Sequence, residues 1–287
     1  MRDAPTFLPY GRQTVEADDI EAVVRVLQGD WLTTGPTVVA FEKHLAGRVG
    51  AHHAVVCSSG TAALHLAVMA LGVGEGDAVV VPAMTFLATA NAVRHAGAEV
   101  VFADVNPDTG LLEAVTLERA LVSARNPKAV IPVHLNGQCV DMPDIAAIAR
   151  RRGLRVIEDS AHALGSASLT GADETVPVGA CCDSDLCVFS FHPVKMITMG
   201  EGGAVTTNNE TLNRRLQRYR NHGMVREPGE FEQAADAFND RGAPNPWYYE
   251  MPVPGYNYRA SDLQCALGLS QLGKLDRFVQ RRRDLVA

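Results

Sequence analysis

Short apolar runs separated by helical patterns constrain this chain more than any other feature. Residues 78–81, 100–103, 129–133 and 154–157 are each too short for a helix and carry almost only apolar side chains. Between them, residues 85–95, 116–124 and 142–151 place apolar residues at helical spacing. A strand that is apolar on both faces must be covered on both. Strands alternating with helices therefore predict a largely parallel sheet between two helical layers, an α/β architecture. In such sheets ligands collect at the carboxyl ends of the strands.

Those ends carry polar residues. The strand ending at Ile157 runs into Glu158-Asp159-Ser160-Ala161-His162, and the one ending at Val133 into His134-Leu135-Asn136-Gly137. A carboxylate directly after a buried strand, such as Asp159, is either a helix N-cap or a group aimed into a site. His134 either touches a substrate or is an ordinary structural histidine. Upstream, residues 55–71 read as strand, then Ser58-Ser59-Gly60-Thr61, then a helix with Leu64, Val68 and Leu71 on one face. Free N–H groups and the positive end of a helix dipole suit a phosphate at such a turn, although Ser-Gly-Thr also makes an ordinary N-cap. Downstream, apolar runs at 187–189 and 204–207 flank Ser190, a His192-Pro193 break, Lys195, and Gly200, Gly202 and Gly203. A lysine in that setting is either a surface side chain on a glycine-rich hairpin or an amine held for Schiff-base chemistry. The only other lysines are Lys43, Lys128 and Lys274, so lysine-dependent chemistry has few candidates.

The rest of the chain sets the background. A composition of 47% hydrophobic and 21% charged residues suits one large globular core, and a net charge of −7 argues against a nucleic-acid partner. The start has no apolar segment of signal-peptide length, and no apolar run approaches the ~18 residues of a membrane span, so a cytoplasmic protein without a membrane partner is expected. Six cysteines lack paired C-x-x-C spacing and read as small buried hydrophobes rather than a metal site. Residues 18–28 and 38–49 have helical spacing, with Lys43 on the polar side. Residues 165–183 read as a loop, 210–219 as a basic but solvated helix, and 227–254 as a long irregular insertion at a substrate mouth or subunit contact. A last helix begins near Ser261 and is expected to bury Leu263, Ala266, Leu267 and Leu269.

Six collinear segments resemble the DegT/DnrJ/EryC1/StrS family of sugar-nucleotide aminotransferases: SSGTAAL (58–64), PAMTFLATANAV (82–93), VIEDSAHALGS (156–166), FSFHPVKMITMGEGGAVTTN (189–208), RNHGM (220–224) and GYNYRASDLQCALGLSQL (255–272). The resemblance implies a three-layer α/β/α pyridoxal-phosphate enzyme of fold type I. Residues 1–275 would be the cofactor-binding large domain with an N-terminal arm. Residues 276–287 would begin a C-terminal small domain that is largely missing, so weak or absent turnover is expected of this stretch alone. It further implies that Lys195 is the catalytic, cofactor-bearing residue and that Asp159 keeps the pyridine nitrogen protonated. Phe86 would stack on the ring, Ser59, Gly60, Thr61 and Ser190 would take the phosphate, and His162 would lie near the phenolic oxygen. Asn257 would reach the phosphate of a neighbouring subunit's cofactor, with Tyr256 and Arg259 shaping the contact, which makes a homodimer with shared sites the expected assembly. Within the family, FSFHPVK, NPWYYEMP (245–252) and GYNYR resemble the pseudaminic acid branch. That branch aminates C4 of a UDP-linked 4-keto-6-deoxy-N-acetylhexosamine, with L-glutamate the expected amino-acid donor. Another sugar-nucleotide 3- or 4-aminotransferase, or a non-catalytic protein of the same fold, remains an alternative.

Overall fold

The computed structural model describes residues 11–170, 174–233 and 235–286; the expected N-terminal arm falls mostly outside them. Helices α1 (Ala17–Leu27) and α2 (Pro36–Val49) precede the sheet. Strand β1 (His53–Cys57) then leads into α3 (Gly60–Ala70), β2 (Ala78–Pro82) into α4 (Leu87–His95), β3 (Glu99–Ala103) into α5 (Ala114–Ser123), and β4 (Pro127–Val130) into α6 (Met142–Arg152). After β5 (Arg155–Asp159) come a small pair, β6 (Ala167–Leu169) and β7 (Thr175–Pro177), then β8 (Leu186–Ser190), β9 (Gly203–Thr207) and α7 (Glu210–Arg220). Helices α8 (Asp262–Leu272) and α9 (Leu275–Val286) close the chain. The domain boundary expected at 275/276 would fall inside the first turn of α9, which begins at Leu275.

The main sheet has seven strands in the order β1-β9-β8-β5-β4-β2-β3. Strand β9 is antiparallel to both its neighbours, and the other pairings are parallel. Alternate side chains of each strand enter different cores. Val55, Val79, Val81, Ala129, Ile131, Ile157, Val188 and Val205 pack with α3, α4 and α7. On the opposite face, Val56, Cys187, Phe189 and Ala204 pack with α2 and α8, while Val80, Val130 and Val156 pack with α5 and α6. Period-two alternation with apolar residues at both phases is the sequence form of a sheet covered on both sides.

Four expectations need correction. The 165–183 stretch holds the antiparallel pair β6–β7, whose three-residue strands are too short and too exposed to leave an alternating apolar pattern. The expected helix at residue 85 begins at Leu87, because Phe86 keeps the extended backbone of an N-cap. In α8 the buried residues are Asp262, Cys265, Ala266, Gly268, Gln271 and Leu272, whereas Leu263, Leu267 and Leu269 are only half-buried. Polar groups take the inner face because they tie down the chain start. Asp262 accepts the N–H of Gly35 at 2.7 Å and of Thr37 at 2.9 Å, and Gln271 donates to Asp19 at 2.8 Å.

The basic helix α7 is also less solvated than expected at its end. Arg220 donates to Val56 O at 2.7 Å and to Glu42, and Glu42 in turn accepts the Val56 N–H at 2.9 Å. Strand β1 is an edge of the sheet, and this ion pair covers its outward-facing amide and carbonyl. Among the described residues no helix is long and apolar enough to cross a membrane.

Asp262 caps α2 from a helix more than two hundred residues away, so its loss leaves one buried and one half-buried amide without their acceptor. Asp262→Ala is expected to cost about 2 kcal/mol, and Asp262→Asn, which keeps one acceptor, about half that, read from denaturant midpoints at unchanged slope.

Candidate active site

Three backbone segments meet where β1 and β8 end and β9 begins. Ser59 is the N-cap of α3, and its Oγ accepts the Ala62 N–H at 3.1 Å. The Ala63 N–H turns back to Ser59 O at 3.0 Å. The Gly60 and Thr61 amides precede any intrahelical acceptor and stand in the first turn, where the dipole favours an anion. The N-cap reading of this turn is realised: the helix uses the Ser59 hydroxyl, and the next two amides are left without an acceptor among the described residues. A Cβ on Gly60 would lie 2.7 Å from Ser190 Cβ, and one on Gly203 would collide with the Ser59 carbonyl. Only glycine permits this approach, which brings the free amides beside the Ser190 hydroxyl at the end of β8.

Asp159 is the last residue of β5 and is 4% exposed. Its Oδ1 accepts the Ala161 N–H at 3.2 Å, and its Oδ2 accepts the Thr89 hydroxyl at 2.7 Å. A carboxylate has about four lone-pair directions, so this one can still receive a charged N–H donor. Lys195 is half-buried in the turn after β8, and its backbone N–H donates to His192 O at 2.8 Å. Burial pushes its ammonium below the ordinary lysine range, while the nearby Asp159 carboxylate pulls the other way. The net effect enriches the neutral amine, the form that attacks a carbonyl and takes up a proton.

His162 faces the same lysine. Asn136 donates its backbone N–H to His162 Nδ1 at 3.2 Å, so the neutral ring carries its proton on Nε2. Burial lowers its pKa, Lys195 lowers it further, and Asp159 opposes both. The result is a neutral donor suited to an anionic oxygen. Asn136 makes the bond from the left-handed region, at φ 55°, a conformation that costs free energy in a residue with a side chain. A cleft of about 760 Å³ opens beside Lys195, with Asn136, His162 and Ser166 on one wall and Val279, Arg282 and Arg283 of α9 on the other.

Phe86, at the N-cap of α4, is 63% exposed and leaves its ring free to stack. Asn257 is exposed on a segment whose Tyr258 carbonyl accepts the Ser58 N–H at 2.8 Å, so GYNYR is bound to the turn that carries the free amides. Tyr256 stacks on Tyr258 with centroids 4.8 Å apart, and Arg259 donates to Asn221 at 2.6 Å. His134 resolves to its structural alternative. It is fully buried, its Nδ1 accepts the Val140 N–H at 3.0 Å, and its Nε2 donates to Glu158 at 2.8 Å. No ring nitrogen is left for a substrate. Two residues of the site escape a linear reading. Thr89 lies in the stretch 82–93, where only the i, i+4 spacing to Thr85 hints at a shared face, and Asn136 acts through its backbone.

Two unclaimed amides and a hydroxyl for a phosphate, a buried carboxylate for a ring nitrogen, a neutral imidazole donor and a half-buried amine together fit pyridoxal phosphate. The comparisons agree. Over 279 residues the chain is 40% identical to the spore coat polysaccharide biosynthesis protein SpsC of Bacillus subtilis, covering 97% of this chain and 67% of that protein. The PMP-form structure of Spr1654 from Streptococcus pneumoniae superposes with a TM-score of 0.84 at 30% identity, over 98% of this chain and 71% of that one; a PLP form of the same protein also matches. Helicobacter pylori PseC, an aminotransferase involved in pseudaminic acid biosynthesis, superposes with a TM-score of 0.80 at 29% identity, over 94% of this chain and 66% of that one. The chain spans about two thirds of the length of these relatives. Residues 13–287 match the family model itself, and the chain belongs to the pyridoxal-phosphate-dependent DegT/DnrJ/EryC1/StrS aminotransferase family.

Proposed function

We propose that the protein moves an amino group from an amino acid, L-glutamate, to C4 of a UDP-linked 4-keto-6-deoxy-N-acetylhexosamine, as a cytoplasmic homodimer serving pseudaminic acid-type nucleotide-sugar synthesis. The observation that carries the chemistry is the pairing of a half-buried Lys195, its amine enriched by burial, with the buried Asp159 carboxylate at the end of β5. The resemblance of FSFHPVK, NPWYYEMP and GYNYR, together with the fold shared with PseC, supports the sugar and its branch. The higher identity to SpsC favours a second reading, an aminotransferase of the same chemistry that serves another surface polysaccharide.

Pyridoxal phosphate, when bound, supplies an electron sink for the carbanion that forms when an amino acid loses its Cα proton. The chain's own residues do the rest. Gly60 and Thr61 amides with the Ser190 hydroxyl would hold the phosphate, and Asp159 would hold a proton on the ring nitrogen. His162 Nε2–H would donate to the phenolic oxygen, and Phe86 would cover a ring face. Lys195 Nζ is the base that removes the donor's Cα proton, a role that needs the neutral amine. The cofactor-binding domain would lie within residues 1–275. Asn257 completes the partner's site.

The purified chain with pyridoxal phosphate is expected to show a visible absorbance band that L-glutamate converts to that of the amino form, while Lys195→Ala shows no lysine-bound band. A wild-type chain without the band would overturn the reading. Amine-selective labelling followed over pH by mass spectrometry checks the electrostatics. Lys195 should react with a midpoint below that of an ordinary lysine. Asp159→Asn should lower that midpoint further, because it removes the group that supports the ammonium.

A further inference from the structure

The start of α4 and the residue just before its N-cap carry a hydrogen-bond relay that ends on Asp159. Thr89 is fully buried, and its hydroxyl stands 2.7 Å from Asp159 Oδ2 and 2.8 Å from Thr85 Oγ1. A hydroxyl has one proton and an ionised carboxylate has none, so Thr89 donates to Asp159. Thr85 must then donate to Thr89, which sets the direction of the whole relay. Asp159 Oδ1 is held separately by the Ala161 N–H at 3.2 Å. One oxygen is thus tied to its own loop and the other to α4.

We propose that Thr89, oriented by Thr85, is a positioning residue for the cofactor. It fixes the Asp159 carboxylate so that its remaining lone pair meets the ring nitrogen. The same helix presents Phe86 at its N-cap, one turn before Thr89. A single rigid element therefore sets both the ring's stacking partner and the orientation of its nitrogen partner, and a shift of α4 would move the two together. Without the hydroxyl, the carboxylate keeps one restraint, the Ala161 amide, and a buried oxygen loses its donor. Such a site holds its ligand loosely even where every group that touches the ligand is intact.

The test rests on the pyridoxal-phosphate reading and compares Thr89→Val, which keeps the shape and removes the donor, with Thr89→Ser, which keeps the donor. Thr89→Val is expected to weaken cofactor affinity about tenfold and to displace the visible band of the bound cofactor, with Thr89→Ser restoring both. Thr85→Val, further from the carboxylate and only partly buried, should shift the band in the same direction by less. It also supplies the readout should Thr89→Val fail to fold. A Thr89→Val protein with a lower melting temperature but an unchanged band, and affinity within about twofold of wild type, would make Thr89 merely structural and overturn the proposal. Crystals grown without cofactor decide the matter independently. Asp159 should be rotated in Thr89→Val and in its wild-type place in Thr89→Ser, and an unmoved Asp159 in Thr89→Val overturns the inference. A wild-type chain that takes up no cofactor would count against the proposed function, whereas the cofactor-free Asp159 position would still test this inference.

Discussion

The central strands of the sheet are buried on both faces, and everything chemical in the molecule follows from that. A polar side chain in the middle of β5 or β8 would lose its water without gaining a partner, so polarity is expelled to the strand ends. Asp159 closes β5 and Ser190 closes β8, while Asn136 and His162 lie just past the ends of β4 and β5. Because β4, β5 and β8 run in parallel, these ends fall on one edge of the sheet. The antiparallel β9 returns from that edge, and the short link between β8 and β9 holds Lys195 there.

Bringing charged and polar groups to a common edge is not enough; they must also be held at low cost. The structure does this with backbone wherever it can. The proposed anion site is two amides at the start of a helix, the tautomer of His162 is set by the amide of Asn136, and half of the grip on Asp159 is the amide of Ala161. Backbone donors lose no side-chain rotamer entropy on ordering, which suits a site that must be preorganised. Glycines at 60 and 203 are the geometric condition for this, because a single methyl group at either would push the turn away from Ser190 or from β9.

Beneath the site lies a second polar layer whose groups bond to one another. His134, Glu158 and Ser184 satisfy one another within the buried space behind Asp159, and the β4 loop is joined to the β5 end by the His134 amide, which donates to Asp159 O at 3.0 Å. A buried network with every member paired is rigid, and it supports the loop from which Asn136 acts. His134 and Asp159 look alike in the sequence, each a polar residue at the end of an apolar strand. Their burial and partners separate them: His134 has both nitrogens spent, and Asp159 has lone pairs left.

The layered α/β fold was legible in the sequence, because local periodicity is written into consecutive residues; Lys195, Asp159, Ser190 and the 59–61 turn stood out there as candidates at strand ends and turns, and the roles proposed for them come from the resemblance of the motifs that hold them. The sequence did not determine which leucines of α8 are buried, that Arg220 and Glu42 would cover the β1 edge, or that Thr89 would hold Asp159. Those pairings join positions 70 to 178 residues apart or depend on which side of a helix meets a distant neighbour. They emerge in three dimensions, since a hydrogen bond depends on distance and direction in space, and a linear pattern specifies neither.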